Sequence, residues 1–222
     1  MSEPSQQFAF DLPYRTAKGR EDFFVSASNE DAVKLIEHWP DWGGRHLILT
    51  GPPGSGKSHL AAIWAEQAGA EVADARAIAG LHLNGNLAVE DIDALAGNRP
   101  AEETLFHLYN AATAAGYSLL LTSSSTPVSL GLSLPDLLSR LQSLPLVQLR
   151  DPDDDLLRAV LIKQFADRQV VTDARLLDYL LPRIERSFES VIGFVTDLDR
   201  YSLERKRPVT WRLAAELLGK TS

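Results

Sequence analysis

Hydrophobic and polar positions follow two regimes along the chain. Up to about residue 150, short apolar runs alternate with stretches of helical period. His46-Leu47-Ile48-Leu49-Thr50 is a compact apolar run suited to a buried strand, and His59-Leu60-Ala61-Ala62-Ile63-Trp64-Ala65 after it is rich in helix formers. The same alternation predicts strands over Glu71 to Ala75, Leu87 to Asp91, Ser118 to Thr122 and Pro145 to Leu149. Between them, Ala101 to Ala115 spaces Leu105, Leu108 and Tyr109 for one helical face, and Leu134 to Leu141 is a short helix carrying Arg140. Ahead of these, Ser28-Asn29-Glu30-Asp31 offers capping residues to an amphipathic helix through Ala32 to Glu37, which Pro40 and Gly43-Gly44 end. Five strands alternating with helices predict an α/β fold with a parallel sheet covered on both faces.

The regime changes at Arg150-Asp151-Pro152. Beyond it only helical patterns occur: Asp153 to Arg168, Asp173 to Ile184, Ser187 to Arg205 and Thr210 to Leu218. That is a second, all-helical unit of about 70 residues, a size able to pack as a small bundle. Residues 1–20 are polar, with Pro4 and Pro13 and no period, yet Gln7-Phe8-Ala9-Phe10-Asp11-Leu12 sets three spaced apolar side chains behind a polar head. Such a peptide either docks in a partner's pocket or folds back on its own domain.

The chemistry enters between the first strand and its helix. Gly51-Pro52-Pro53-Gly54-Ser55-Gly56-Lys57-Ser58 reads G-x-x-x-x-G-K-S, a phosphate-binding loop, in its required strand-to-helix setting. Glycines let the backbone turn tightly and aim several N–H groups at one phosphate, and the helix N-terminus adds partial positive charge. Lys57 would reach the β- and γ-phosphates, and the Ser58 hydroxyl, followed by His59, would hold Mg²⁺. Hydrolysis needs more: an acid at a neighbouring strand end to handle metal and water, and a cation for charge developing on the γ-phosphate. Glu90 and Asp91 are the one acidic pair directly after an apolar strand. Thr122, Ser123 and Ser124 follow the next strand and either polarise a water or cap what comes after.

Charge and composition narrow the reading. The 222 residues carry net charge −8, which argues against a protein whose main task is gripping DNA. The excess is in residues 1–150, with 17 acidic against 10 basic residues; the remainder holds 13 against 12, with one basic knot at Arg205-Lys206-Arg207. Cysteine is absent, which excludes disulfides and thiolate metal sites and fits a reducing, cytoplasmic setting. The five histidines show no paired metal spacing, no run is long enough to span a membrane, and no signal peptide is visible.

Taken together, these residues resemble the AAA+ ATPases, within them the DnaA replication-initiator family, and more closely its short Hda-type branch, the regulatory inactivators of DnaA. Leu87-Ala88-Val89-Glu90-Asp91-Ile92 is similar to the Walker B strand, Leu121-Thr122-Ser123-Ser124 to the sensor 1 strand end, and Leu138-Ser139-Arg140-Leu141 to the segment carrying an arginine finger. Glu21-Asp22-Phe23-Phe24-Val25 with Ser28-Asn29 resembles the entry segment near the adenine, and Gln7, Phe8, Phe10 and Leu12 resemble the sliding-clamp-binding peptide, with Phe where Leu is common. The resemblance implies a tail with the clamp peptide over 1–20, a P-loop AAA+ domain with a five-stranded parallel sheet over 21–150, and a helical lid over 151–222. It implies ATP or ADP with Mg²⁺ on Ser58, Glu90 and Asp91, the polymerase III beta clamp and the DnaA initiator as partners, only indirect or weak DNA contact, no membrane, and a possible homo-oligomer. Arg140 would act in trans on a partner's nucleotide, the alternative being a surface ion pair with Asp136.

Three positions depart from the family pattern: Glu90 stands where Walker B usually has Asp, Ser124 where sensor 1 is often Asp, and Glu189 where sensor 2 is Arg. A carboxylate at 189 repels phosphate. Arg186, one turn earlier, either replaces the missing charge or pairs with Glu189. Intrinsic hydrolysis is therefore expected to be weak. The resemblance puts the end of the lid near Ser222 and, with net charge −8, implies a chain not expected to recognise an origin itself. The competing readings are a stand-alone remodelling ATPase, such as a helicase or clamp-loader component, and an adaptor in which nucleotide is structural.

Overall fold

The computed structural model describes residues 24–221. The tail, with Gln7, Phe8, Phe10 and Leu12, and Glu21-Asp22-Phe23 of the entry segment lie outside the described residues. Five strands, β1 (His46–Thr50), β2 (Glu71–Asp74), β3 (Leu87–Glu90), β4 (Leu119–Ser123) and β5 (Leu146–Gln148), form one parallel sheet in the order β2-β3-β4-β1-β5. All five residues of β1 are buried, as expected of a central strand covered on both faces. Leu47 and Leu49 of β1 point to one face, where they join Ile36 of α1 (Glu30–Glu37) and Leu60 and Trp64 of α2 (Lys57–Ala68). Ile48 points to the other, among Leu105 and Leu108 of α3 (Arg99–Ala115) and Leu137 and Leu141 of α4 (Pro135–Gln142). This division is the two-residue period of a strand written into the core.

The register sets the functional edge. Thr50 lies level with Ser123 and Asp74 with Glu90, so the strands' carboxyl ends meet along one line. Because β5 joins β1 on the side away from β4, the chain reverses its order around β1, and the crevice beyond such a reversal is where open α/β sheets hold ligands.

After Arg150 come α5 (Asp154–Asp167), α6 (Ala174–Leu180), α7 (Phe188–Arg205) and α8 (Trp211–Thr221), which share a separate core of Leu161, Phe165, Leu177, Val195, Leu198 and Leu213. Asp153 caps α5 through Leu156 N–H, Asp173 caps α6 through Leu176 N–H and Ser187 caps α7 through Ser190 N–H. α6 is shorter than the sequence pattern predicts: Pro182 has no N–H to continue the helix, and the chain leaves it at Leu180. Asn29 also differs from expectation. It occupies the N-cap of α1, but its side-chain oxygen accepts from Ser26 N–H and its amide donates to Phe24 O, so it braces the entry segment instead of the helix.

Candidate functional site

The loop between β1 and α2 needs its glycines for reasons visible in the geometry. Gly54 and Gly56 have φ of +70° and +97°, a region that L side chains enter at a cost of roughly 1–2 kcal/mol. Both also lie against the lid. A Cβ on Gly54 would stand 2.6 Å from Ser187 Cβ, and one on Gly56 would stand 2.9 Å from Phe188 Cε2. Phe188 N–H donates to Gly54 O at 3.0 Å, so the first residue of α7 rests on the loop. Lys57 is buried, and its Nζ donates to Gly51 O (2.8 Å) and Pro52 O (3.0 Å). Burial lowers its pKa, and the nearby carboxylates Asp91, Asp93 and Glu90 act in the opposite direction without reversing the shift.

Between the loop and the lid lies a cavity of about 900 Å³. It is lined by Pro53, Gly54, Gly56, Lys57, Ser58 and His59 of the loop and the start of α2, by Leu156, Val160, Lys163 and Gln164 of α5, by Phe188, Glu189, Ile192 and Gly193 of α7, and by Phe24 and Asp91. The lining joins backbone and charged groups to apolar side chains, the mixture a nucleotide requires.

The acidic pair splits at the end of β3. Glu90 is the last strand residue, and its Oε1 is buried with no hydrogen-bond partner among the described residues. Asp91 takes the left-handed conformation at φ 57°, donates its N–H to Thr122 Oγ1 at 3.0 Å, and has its carboxylate 3.4 Å from Arg76, which also holds Asp74. Ser123, the last residue of β4, and Ser124 after it do not line the cavity. Ser123 closes its own turn, donating to Ser125 O and accepting from Ser125 N–H. Ser124 donates from both N–H and hydroxyl to Asp93. Burial pushes the Asp93 carboxyl up, but these hydrogen bonds outweigh it and hold the group below its usual range. Asp93, two residues beyond the recognised pair, was not marked by the sequence pattern, since it stands outside the apolar run in a 3-10 turn, Ile92–Leu95.

The structure does not bring Arg186 to the cavity. Its guanidinium pairs with Asp154 at 2.6 Å, not with Glu189, and both partners are more than half exposed. Glu189 itself lines the cavity, next in the chain to Phe188, which touches the loop at Gly56. Arg140 is exposed in the last turn of α4, and no carboxylate pairs with it among the described residues, Asp136 included. Gly51, Pro52 and Ser55 of the loop do not line the cavity, and the Ser55 hydroxyl is buried without a partner among the described residues.

No family model matches the chain. The chromosomal replication initiator protein DnaA of Herpetosiphon aurantiacus is 26% identical over 133 residues, which are 60% of this chain and 28% of that protein. The chain thus spans little more than a quarter of that relative's length. Domain III of the Thermotoga maritima replication initiation protein DnaA superposes with a TM-score of 0.78 at 19% identity, over 94% of this chain and 98% of that one. A replication initiator DnaA bound to AMPPCP and single-stranded DNA superposes at 0.69, with 20% identity over 84% of this chain and 66% of that one. The Thermotoga maritima RuvB Holliday junction branch migration motor gives 0.60, with 19% identity over 78% of this chain and 60% of that one. The fold is therefore that of an AAA+ domain, in the form seen in DnaA domain III.

Proposed function

We propose that this chain, whose AAA+ domain is built like domain III of DnaA, is an Hda-like cytoplasmic regulator of replication initiation. In this reading it binds an adenine nucleotide with Mg²⁺, is held by the sliding clamp through Gln7, Phe8, Phe10 and Leu12, and supplies Arg140 to ATP on a DnaA partner. The observation that carries the nucleotide part is the junction of phosphate loop and lid: a G-x-x-x-x-G-K-S loop whose Gly54 and Gly56 are packed against Ser187 and Phe188, opening on a cavity lined by Lys57 and Asp91 together with Phe24, Leu156, Val160 and Ile192.

The residues fit that ligand. The loop's N–H groups and Lys57 would hold the phosphates, Lys57 exchanging the carbonyls of Gly51 and Pro52 for phosphate oxygens. Ser58, Glu90 and Asp91 would hold Mg²⁺, and the unpartnered buried oxygen of Glu90 is the local reason to expect a cation or its water there. Bound ATP supplies the phosphoanhydride, and Mg²⁺ offsets its charge. Phe24, Leu156, Val160 and Ile192, the apolar residues of the lining, would pack on a base and exclude water from it. Glu189 adds negative charge where a triphosphate needs a cation, so the chain's own turnover is slow while its grip on a diphosphate persists.

Arg140 suits the trans role. It is permanently charged, exposed, free of a competing carboxylate among the described residues, and able to engage phosphate oxygens with two hydrogen bonds. Such a finger is worth about 10³–10⁵ in rate to a triphosphatase. Two measurements test the reading. Calorimetry with Mg-ADP and Mg-ATP should show one site on the wild-type chain, and absence of heat for both would overturn the nucleotide assignment. Deleting residues 1–12 should abolish clamp binding and leave nucleotide affinity unchanged; clamp affinity unaltered by the deletion would remove the tail from the account.

A further inference from the structure

One carboxylate outside the cavity is buried more completely than any within it. Glu102, in the first turn of α3, is 0% exposed. Its Oε1 accepts from Gly97 N–H at 2.9 Å, and its Oε2 accepts from Ser133 N–H at 2.9 Å, the Ser133 hydroxyl at 2.9 Å and Leu134 N–H at 2.7 Å. No lysine or arginine pairs with it among the described residues. Burial works against its charge, but these donors outweigh that and hold the carboxyl below its ordinary range. A buried ion held by three backbone N–H groups and one hydroxyl, with no countercharge among the described residues, is costly to assemble, and its loss would leave several polar groups unmatched.

What it joins gives the reason. Gly97 follows the 3-10 turn that leaves Glu90 and Asp91 and contains Asp93. Ser133 and Leu134 lead into α4, whose N-cap is Leu134 and which has no side-chain cap of its own. Glu102 therefore caps α4 from another helix, adding negative charge at its N-terminus. Arg99 reinforces the joint by donating to Ser133 O at 3.3 Å. The last turn of the helix so pinned carries Arg140.

We propose that Glu102 is a positioning residue for Arg140, fixing the pitch of α4 against the acidic end of β3; this rests on the trans role of Arg140 argued above. Arg140 stands six residues from the pin at Leu134, a lever of about 9 Å at 1.5 Å per residue. Releasing the pin by a tilt of about 10° shifts the base of the arginine by about 1.5 Å, and misplacement of about 1 Å can reduce a rate about a hundredfold.

The test uses the full chain with DnaA-bound ATP and clamp-loaded DNA, and reads the hydrolysis rate against the concentration of this chain. Glu102→Gln should lower the maximal rate at least about tenfold while the half-saturating concentration and ADP affinity stay within about twofold, because docking and the chain's own nucleotide site are untouched. Ser133→Ala, which removes a single donor, should lower the same maximum by a smaller factor and decides the matter where Glu102→Gln does not fold. A folded Glu102→Gln with unchanged maximal rate overturns the proposal. So does a fall matched by equal losses in ADP affinity and docking, which marks general softening. If Arg140→Ala leaves stimulation intact, the trans reading itself fails and takes this inference with it; if Arg140→Ala abolishes stimulation while neither Glu102→Gln nor Ser133→Ala alters the maximum, only the positioning role is lost.

Discussion

Replacing Gly54 with alanine asks directly whether the lid rests on the phosphate loop. The new methyl would lie 2.6 Å from Ser187 Cβ and 3.2 Å from its Oγ, whereas carbon atoms need about 3.5–4.0 Å. The N-terminus of α7 must therefore retreat by about 1 Å, breaking the 3.0 Å bond from Phe188 N–H to Gly54 O. That bond is worth about 0.5–1.5 kcal/mol, and the +70° φ adds roughly 1–2 kcal/mol for a residue with a Cβ. About 1.5–3.5 kcal/mol thus falls on the closed arrangement in which Ile192, Leu156 and Val160 line the cavity. At about 1.4 kcal/mol per tenfold, calorimetry should find ADP binding weakened about 10- to 300-fold. Any share that falls on folding appears in a thermal scan as about 2–4 °C per kcal/mol. Adding Ser187→Gly removes the clashing carbon, so the double variant should regain part of the affinity, short of wild type because the strained φ remains and the α7 cap is lost. Gly193→Ala, also in α7 but with open space around its Cβ position, should instead raise the melting temperature, since alanine favours a helix interior over glycine by about 0.5–1 kcal/mol. Gly54→Ala protein that binds ADP like wild type and melts at the same temperature would refute the idea that lid and loop form one closed site.

Other substitutions probe the remaining parts. Lys57→Ala removes the phosphate cation and should weaken ADP and ATP binding by calorimetry about 10- to 150-fold, equivalent to the roughly 1.5–3 kcal/mol of a charged hydrogen bond; equal affinity contradicts the loop's role. Glu189→Arg exchanges repulsion for attraction, so ATP binding should tighten more than ADP binding, and a variant with an unchanged ATP-to-ADP affinity ratio puts Glu189 away from the phosphates. Arg186→Ala loses only an exposed pair with Asp154, worth about 0–1 kcal/mol, and should leave nucleotide affinity intact by the same titration. Glu102 has a folded pKa below its unfolded value, so its contribution is present above about pH 4.3 and is lost as pH falls through the folded value. Denaturant melts should accordingly find Glu102→Gln weaker than wild type at pH 7 by about 1.5–3 kcal/mol, with the gap closing in acid; a pH-independent gap counts against an ionised Glu102.

Much of this architecture is written in local patterns. The strand of Leu47 to Leu49, the glycine loop and the change of regime after Arg150 carry their own signatures, because short buried parallel strands are apolar throughout and the loop's glycines are fixed by backbone geometry. Side-chain pairing is not local, and there the pattern misled. Arg186 lies at helical spacing from Glu189, yet α7 begins only at Phe188, capped by Ser187, and Arg186, ahead of the helix, reaches Asp154 instead. Ser123 and Ser124 follow a strand end as a nucleotide sensor would, but Asp93 and the backbone of Ser125 take their hydrogen bonds. Glu102 was hidden for the same reason: its partners Ser133 and Leu134 stand far along the chain, and an acidic residue in a first helical turn is ordinary.

The proposed trans role of Arg140 would shorten the life of ATP on a DnaA partner. The direct measurement is single-turnover hydrolysis of radiolabelled ATP preloaded on DnaA, in the presence of clamp-loaded DNA, with wild-type chain, with Arg140→Ala, and with no addition. Wild-type chain should accelerate the decay by orders of magnitude, on the scale of the roughly 10³–10⁵ that a supplied arginine contributes, and Arg140→Ala should return it to the unassisted rate while still binding ADP and the clamp. Decay unaltered by the wild-type chain at saturating concentration, or acceleration that persists in Arg140→Ala, would contradict the account.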